Sequence, residues 1–226
     1  MKISKNTISI FRNFSAIHES LVVDSGSSIV SISKERNIIA VYDPPEEFPD
    51  FGIFRLSEFL SGVSLFKLDD VDFIFKDKFV QIKYENNSIK YVFTDKDLIE
   101  YVDAVKPPEK YKGFDKFNST FELSEDDIQR IKKSAGILFT GSSFKTDVEI
   151  VSKDGSGTIK VQDEDDIMSN NFSVNIETEG DCNITFNVDY LIMLRGDYSV
   201  SVLNKKLIKF AHKTLPLIYL ISPRVN

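Results

Sequence analysis

An internal duplication constrains the fold of this chain more than any other feature of its sequence. Residues 2–13 align with residues 122–133 at an offset of 120 residues, so that Ser4 coincides with Ser124. A repeated segment predicts a repeated structural unit. Chance similarity between amphipathic segments is the alternative, and the order and spacing of a second matching pair argue against it.

The second pair lies later in each half of the chain. Residues 52–60 align with residues 183–192, with Phe54 on Phe186, and strand-like segments follow in both halves. Each half therefore predicts a leading helix, several strands, a short helix and further strands.

Each predicted leading helix has a start signal. Ser4 and Ser124 are favourable N-caps, and the acidic residues that follow Ser124 suit the positive end of a helix dipole. Apolar residues three apart predict the buried faces. These residues are Ile8 and Phe11 in the first helix, and Ile128 and Ile131 in the second.

Together these patterns predict an α+β fold of two similar domains, each with two helices packed on antiparallel sheets. We expect the domains to span residues 1–105 and 119–226. The connector between them, residues 106–118, has two consecutive prolines, several lysines and no sustained periodicity,. In the second domain, the Asp154-Gly155 pair predicts a hairpin turn.

The positive charge is concentrated on the leading helices. The formal net charge of the chain is −7, whereas domains that bind nucleic acids are usually basic. The predicted solvent faces of both leading helices are nevertheless basic beyond their first turns. A solvated helix face is the ordinary explanation, but Arg12 and Lys132 recur at equivalent positions. A surface used in symmetric copies explains that recurrence, and contacts to phosphates read no base sequence.

The sequence lacks the recognised catalytic and cofactor-binding motifs. His18 and His212 lie in different halves, and Cys182 is the single cysteine, so no intramolecular disulfide can form,. No segment approaches 18 uncharged apolar residues. We therefore expect a soluble, cytoplasmic protein that is not an enzyme and that needs no cofactor or metal.

The chain resembles the sliding clamps of T4-like bacteriophages along nearly its whole length. Four segments carry the resemblance: Met1–Lys5 running into Phe11–Ile17, Gly52–Phe54 continuing through Phe59–Leu65, Leu123–Arg130, and Arg195–Val200. The resemblance implies the DNA clamp fold and a closed trimeric ring, with helices lining the central hole and strands forming the outer sheet.

The resemblance also implies partners. They are double-stranded DNA bound without regard to sequence, a replicative DNA polymerase that the ring tethers for processivity, an ATP-dependent clamp loader and two further copies of the chain. No membrane is implied, and a viral clamp would work in the cytoplasm of the host cell.

Two groups of site residues follow from the resemblance. The DNA-facing residues are expected to be Lys5, Arg12, Arg130, Lys132 and Lys133. A pocket for apolar peptides of partner proteins is expected to involve Val41, Tyr42, Val105, Leu217, Tyr219 and Ile221.

Two other classes of protein fit some of these observations. A β-rich viral structural or assembly protein would also be acidic, trimeric and non-catalytic, but it has no reason to repeat basic helix faces. An enzyme with an unrecognised site is the third alternative, and tight binding of a substrate-like ligand would support it.

Overall fold

The computed structural model describes residues 1–99, 116–138, 146–163 and 170–224. The chain divides into two compact units, one formed by Met1–Lys34 and Ala40–Lys112 and the other by Glu35–Ile39 and Gly113–Asn226. The predicted connector, residues 106–118, lies largely outside the described residues, so the predicted domain boundaries stay predictions.

The first unit contains two α-helices, α1 (Lys5–Ile17) and α2 (Leu56–Ser64). Its strands are β1 (Leu21–Val23), β2 (Ile29–Ile32), the end of β3 (Ile38–Tyr42), β4 (Phe51–Ile53), β5 (Asp72–Lys76), β6 (Phe79–Tyr84) and β7 (Asn87–Val92). Strand β1 pairs antiparallel with β4, while β5, β6 and β7 form an antiparallel sheet in that order.

Phenylalanine rings build much of the core of the first unit. Neighbouring centroids in one cluster lie between 5.2 and 6.1 Å apart. The members of this cluster are Phe11, Phe48, Phe51, Phe75 and Phe93. They join the buried side of α1 to β4, β5 and the residue that follows β7. Aromatic pairs at these separations add to the stability gained from burial alone.

The second unit contains α3 (Glu125–Leu138) and a long antiparallel sheet. Its strands are β8 (Ser119–Leu123), β9 (Thr146–Lys153), β10 (Ser156–Asp163), β11 (Phe172–Gly180), β12 (Cys182–Asn187), β13 (Tyr198–Leu203), β14 (Leu207–His212) and β15 (Leu217–Ile221). Their order is β12-β9-β10-β11-β8-β13-β14-β15. The predicted hairpin joins β9 to β10, where Asp154 and Gly155 have φ values of +54° and +86°.

From the leading helix onward, both units have four strands, a second helical segment and three further strands, as the duplication predicts. Helices α1 and α3 begin 120 residues apart, at Lys5 and Glu125. The counterpart of α2 is only a 3-10 turn, Val188–Tyr190, within the described part of the second unit. Beyond this turn Leu191 and Met193 are both buried. A spacing of two suits an extended chain rather than a helix, which explains why the second short helix is not continued.

Candidate DNA-facing helices and partner surface

Helix α1 presents a basic face to solvent. Its N-cap is Ser4, whose side chain accepts a hydrogen bond from the backbone N–H of Thr7 at 3.2 Å. The buried face includes the predicted Ile8 and Phe11. Lys5 and Arg12, seven residues apart, are both exposed on the opposite side,.

These two cations differ in their surroundings. The Nζ atom of Lys5 lies 2.7 Å from an oxygen of Asp69, and both side chains are largely exposed. Arg12 makes no ion pair with any residue that the structure describes.

Helix α3 carries its cations differently from the prediction. Arg130 and Lys133 are exposed, while Lys132 is half-buried. The prediction placed Lys132 opposite the buried face, but it lies four residues after the buried Ile128 and therefore borders that face,. Burial, together with the nearby positive charge of Arg195, lowers the pKa of Lys132.

Both leading helices are capped twice. The Ser124 hydroxyl accepts from the backbone N–H of Asp127 at 3.1 Å, as Ser4 does for Thr7. In addition, the backbone N–H of Glu125 donates to the Asp197 carboxylate at 2.8 Å. At α1 the carboxylate of Glu46 accepts instead from the backbone N–H of Ser4, the N-cap residue itself. Each candidate DNA-facing helix is thus held at its start by a serine cap and by a carboxylate that is distant in sequence.

Sequence reasoning missed Arg195 as a member of this surface. Arg195 is exposed in the loop before β13, and its positive charge contributes, after burial, to the lowered pKa of Lys132. The signal in the sequence was weak. Arg195 is the first residue of a segment that carries the family resemblance, but no helical periodicity indicates where its side chain points.

The described residues of the predicted peptide pocket are all buried. Val41 and Tyr42 are buried in the first unit, and Leu217, Tyr219 and Ile221 are buried in the second. Val105 lies outside the described residues. Because buried side chains do not contact a peptide at the surface, the pocket assignment stays a prediction.

Both histidines and the cysteine make contacts with neighbouring residues of the chain. His18 Nδ1 accepts from the backbone N–H of Ser20, and His212 Nδ1 accepts from that of Thr214. Cys182 is buried, with its sulfur 3.3 Å from the Ser152 hydroxyl. No group of three or more potential metal ligands occurs among the described residues. None of the helices described there is long and apolar enough to cross a membrane.

Two curated proteins are similar to the chain in sequence. The sliding clamp of Vibrio phage KVP40 is 27% identical over 210 residues, which cover 89% of this chain and 90% of that protein. The sliding clamp of Escherichia phage RB69 is 26% identical over 168 residues, covering 72% and 69%. No family model matches the chain.

Solved structures of DNA clamps share the fold. A putative DNA polymerase III beta subunit from Eubacterium rectale matches with a TM-score of 0.69 and 13% identity, over 97% of this chain and 63% of that longer one. The PCNA of A. fulgidus, bound to the C-terminal region of FEN-1, matches with a TM-score of 0.69 and 14% identity over 97% and 95%. The PCNA of Entamoeba histolytica gives 0.68 and 12% over 96% and 94%.

Two repeats of antiparallel strands with a basic leading helix, and the similarity to these structures, show that the chain has the fold of the DNA clamps. In sequence it is similar to the sliding clamps of T4-like phages. These similarities confirm the predicted family resemblance, the predicted clamp fold and the predicted class of function, a sliding clamp.

Proposed function

We propose that three copies of this chain form a closed ring that encircles duplex DNA and tethers a replicative DNA polymerase to it. The observation that carries the proposal is the repetition of a doubly capped helix with exposed cations in both units of an acidic chain. Three copies would supply six such helices, three α1 and three α3, to the lining of the hole.

Electrostatics support this arrangement. Lys5, Arg12, Arg130, Lys132 and Lys133 are proposed to face the DNA. Arginine and lysine side chains bind phosphates irrespective of base sequence, so the DNA can slide past them. The net charge of −7 disfavours DNA binding elsewhere on the surface. Encirclement, rather than tight contacts, would retain the DNA.

Among the described residues, two strands have backbone edges that no other strand pairs with, and these edges could close the ring. Strand β7 is the outer strand of the β5-β6-β7 sheet. Residues 172–177 of β11 pair with β10, whereas β8 pairs only with residues 178–180 of β11. Unpaired edges favour association with a further strand. Pairing of β7 in one protomer with this part of β11 in the next would be head-to-tail, and such a contact forms a ring when it closes.

The side chains on the two edges are complementary. Lys90 is exposed on β7, and Glu177 is exposed on β11. Opposite charges facing each other across paired strands stabilise the pairing modestly. A viral shell or assembly protein could also associate through strand edges, but repeated basic helix faces would serve no purpose there.

Partner proteins are proposed to insert a short apolar peptide beside β15. The A. fulgidus PCNA, which has a similar fold, is bound to the C-terminal region of another protein. Because Leu217, Tyr219 and Ile221 are buried, a peptide would first contact the partly exposed Ile218 on the same strand.

Ile218→Ser should weaken binding of a polymerase C-terminal peptide, whereas Leu98→Ser, at a 70% exposed leucine, should not. If Ile218→Ser binds the peptide as tightly as Leu98→Ser does, the proposed pocket is wrong.

The clamp itself is proposed to hydrolyse nothing, to need no cofactor or metal, and to work in the host cytoplasm after an ATP-dependent loader has opened the ring. A processivity assay with the cognate polymerase and loader on primed circular DNA tests the function directly. Long products should require the clamp. Sedimentation should give the mass of a trimer at micromolar concentration, and a stable monomer at low salt would rule out the ring.

A further inference from the structure

The first cation of α1 is paired with a carboxylate of its own unit. The Nζ atom of Lys5 donates a hydrogen bond to a carboxylate oxygen of Asp69 at 2.7 Å. Just before the helix, the Nζ atom of Lys2 lies 3.3 Å from a carboxylate oxygen of Asp72. Both carboxylates belong to one short segment of the chain. That segment therefore places two negative charges beside the start of a helix that is proposed to face DNA.

The acidic segment is held in place by its backbone and by a buried neighbour. Residues Leu68–Asp70 form a 3-10 turn, and Val71, which follows the turn, is fully buried. The backbone N–H of Phe73 donates to the Met1 carbonyl at 2.9 Å, and the terminal ammonium group of Met1 donates to the Phe73 carbonyl at 2.8 Å. The position of Asp69 beside α1 is thus fixed by more than its attraction to a lysine.

The later cation of α1 lacks such a partner. Arg12 lies two helical turns after Lys5 on the same exposed side, and it makes no ion pair with any described residue,. Helix α3 shows the same order: Arg130 lies 3.9 Å from Asp127, whereas the exposed Lys133 makes no ion pair within the described part of the chain. In each leading helix, the earlier of the two exposed cations is paired and the later one is not.

The Lys5–Asp69 pair affects DNA binding more than it affects folding. The two side chains are 68% and 70% exposed, and ion pairs this exposed add little to stability. A lysine that binds a phosphate gains affinity through the counterions that the DNA releases. If Lys5 leaves Asp69 for a phosphate, the bared carboxylate takes up a cation from solution, so the exchange releases no net counterion. A paired lysine therefore contributes little to the binding of a polyanion.

We propose that Asp69 is a built-in counter-charge that withholds Lys5 from the phosphates of the encircled duplex, so that α1 holds the DNA through Arg12. The inference rests on the proposed function and adds an acidic residue that limits the hold of the ring on its DNA. A sliding clamp must retain the duplex and still move along it. Each phosphate contact has to break before the ring advances, so a lysine that is already paired leaves the ring freer to slide.

A double-mutant cycle tests the inference. The clamp is used without a loader, and the probe is a short fluorescent duplex with open ends that can enter the ring. Affinity is measured by anisotropy between 50 and 200 mM salt, and each added phosphate contact steepens the slope of log K against log salt by about 0.9. Asp69→Asn should bind more tightly than the wild type at low salt. Over this range its affinity should fall about 3.5-fold more than that of the wild type for each Lys5 that is freed.

Two further variants separate the freeing of Lys5 from a general change in charge. Asp77→Asn removes the same charge at the exposed turn between β5 and β6 and should leave the slope unchanged. In a clamp that already carries Lys5→Gln, Asp69→Asn should steepen the slope little, because no lysine is left to free. The inference is wrong if Asp69→Asn behaves like Asp77→Asn, if its effect is the same with and without Lys5, or if no variant binds the duplex.

The processivity assay of the wild type decides the proposed function separately. Long products from a clamp whose Asp69→Asn variant shows no Lys5-dependent change would refute the inference and leave the proposed function standing. A Lys5-dependent change in a clamp that does not lengthen the products would refute the proposed function, while the cycle would still show that Asp69 masks Lys5 from phosphates.

Discussion

The carboxylate of Glu46 accepts a hydrogen bond of 2.7 Å from the backbone N–H of Ser4, the N-cap of α1. The same carboxylate accepts from the Thr7 hydroxyl at 2.8 Å. Helix α1 has no acidic residue in its first turn, whereas α3 has three. Glu46 therefore supplies from a distant loop the negative charge that favours the positive end of a helix.

Removing this charge should weaken the start of α1. We expect Glu46→Ala to lower the free energy of unfolding by about 1–2 kcal/mol, because a cap and a partly buried hydrogen bond are lost together. Urea unfolding followed by circular dichroism measures the change. Glu47→Ala, at the exposed neighbouring position, is the control and should change stability little; equal losses would show that the Glu46 contacts contribute nothing.

The starts of both leading helices could be predicted from sequence because their signals are local. Ser4 and Ser124 cap within three residues, and the buried faces follow helical spacing. The second caps could not be predicted, since Glu46 lies 42 residues from Ser4 and Asp197 lies 72 residues from Glu125. Contacts of this kind depend on tertiary structure that no local pattern encodes.

The candidate site shows the same limit. Exposure of Lys5 and Arg12 follows from helix periodicity, and the structure has both exposed. The half-burial of Lys132 depends on how closely the sheet packs beside α3. Arg195 belongs to a loop, where side-chain direction follows no period and is set by the hydrogen bonds of the loop.

Two ion pairs of equal length should differ greatly in their contributions to stability. Arg224–Asp147 and Lys213–Glu122 are both 2.6 Å long, but Asp147 is 6% exposed and Glu122 is 59% exposed. Arg224→Met leaves a buried carboxylate without this partner and should cost about 3 kcal/mol.

Lys213→Met is the matched comparison and should cost less than about 1 kcal/mol. Chemical denaturation of both variants measures the difference. Adding Asp147→Asn to Arg224→Met should recover part of the loss. Similar costs for the two single variants would mean that burial does not decide the strength of these pairs.

A proline on β7 should separate ring formation from folding. The two-residue turn after Tyr84 closes on the Tyr84–Asn87 pair, so alternate residues from Asn87 onward bond to β6 and the N–H of Lys90 points outward. Lys90→Pro therefore removes one donor from the proposed subunit contact and none from the β6–β7 ladder.

Light scattering after size exclusion should show that Lys90→Pro shifts the protein from trimer toward monomer, with circular dichroism unchanged. Lys90→Ala removes the same side chain but keeps the N–H, and it should retain the trimer at micromolar concentration. A stable Lys90→Pro trimer would place the subunit contact elsewhere.

Alkaline pH should destabilise the second unit through its buried tyrosines. Burial raises the pKa of Tyr198 and of Tyr219 above the ordinary value of 10.0. Above pH 10 the phenols ionise in the unfolded chain before they do so in the folded one. The contribution of each tyrosine to the free energy of unfolding is therefore fully present below pH 10. Above pH 10 it falls by about 1.4 kcal/mol per pH unit for each tyrosine. In urea titrations between pH 9 and 11, Tyr219→Phe should lower stability at pH 9 but give a shallower decline; parallel curves would contradict the assignment.

The exposed cations of the leading helices should matter for the polymerase and not for folding. We choose Arg12→Glu with Arg130→Glu, one from each unit, because both side chains are exposed and their replacement leaves the core intact. The reversed charges should repel phosphates and shorten products in the processivity assay by roughly tenfold, an effect that increases as salt is lowered. Lys78→Glu with Lys206→Glu changes the net charge equally at equivalent hairpin turns of the two units. Normal products with this control and short products with the helix variant would assign the DNA contact to the helices. Equal shortening would instead reflect only the net charge of the ring.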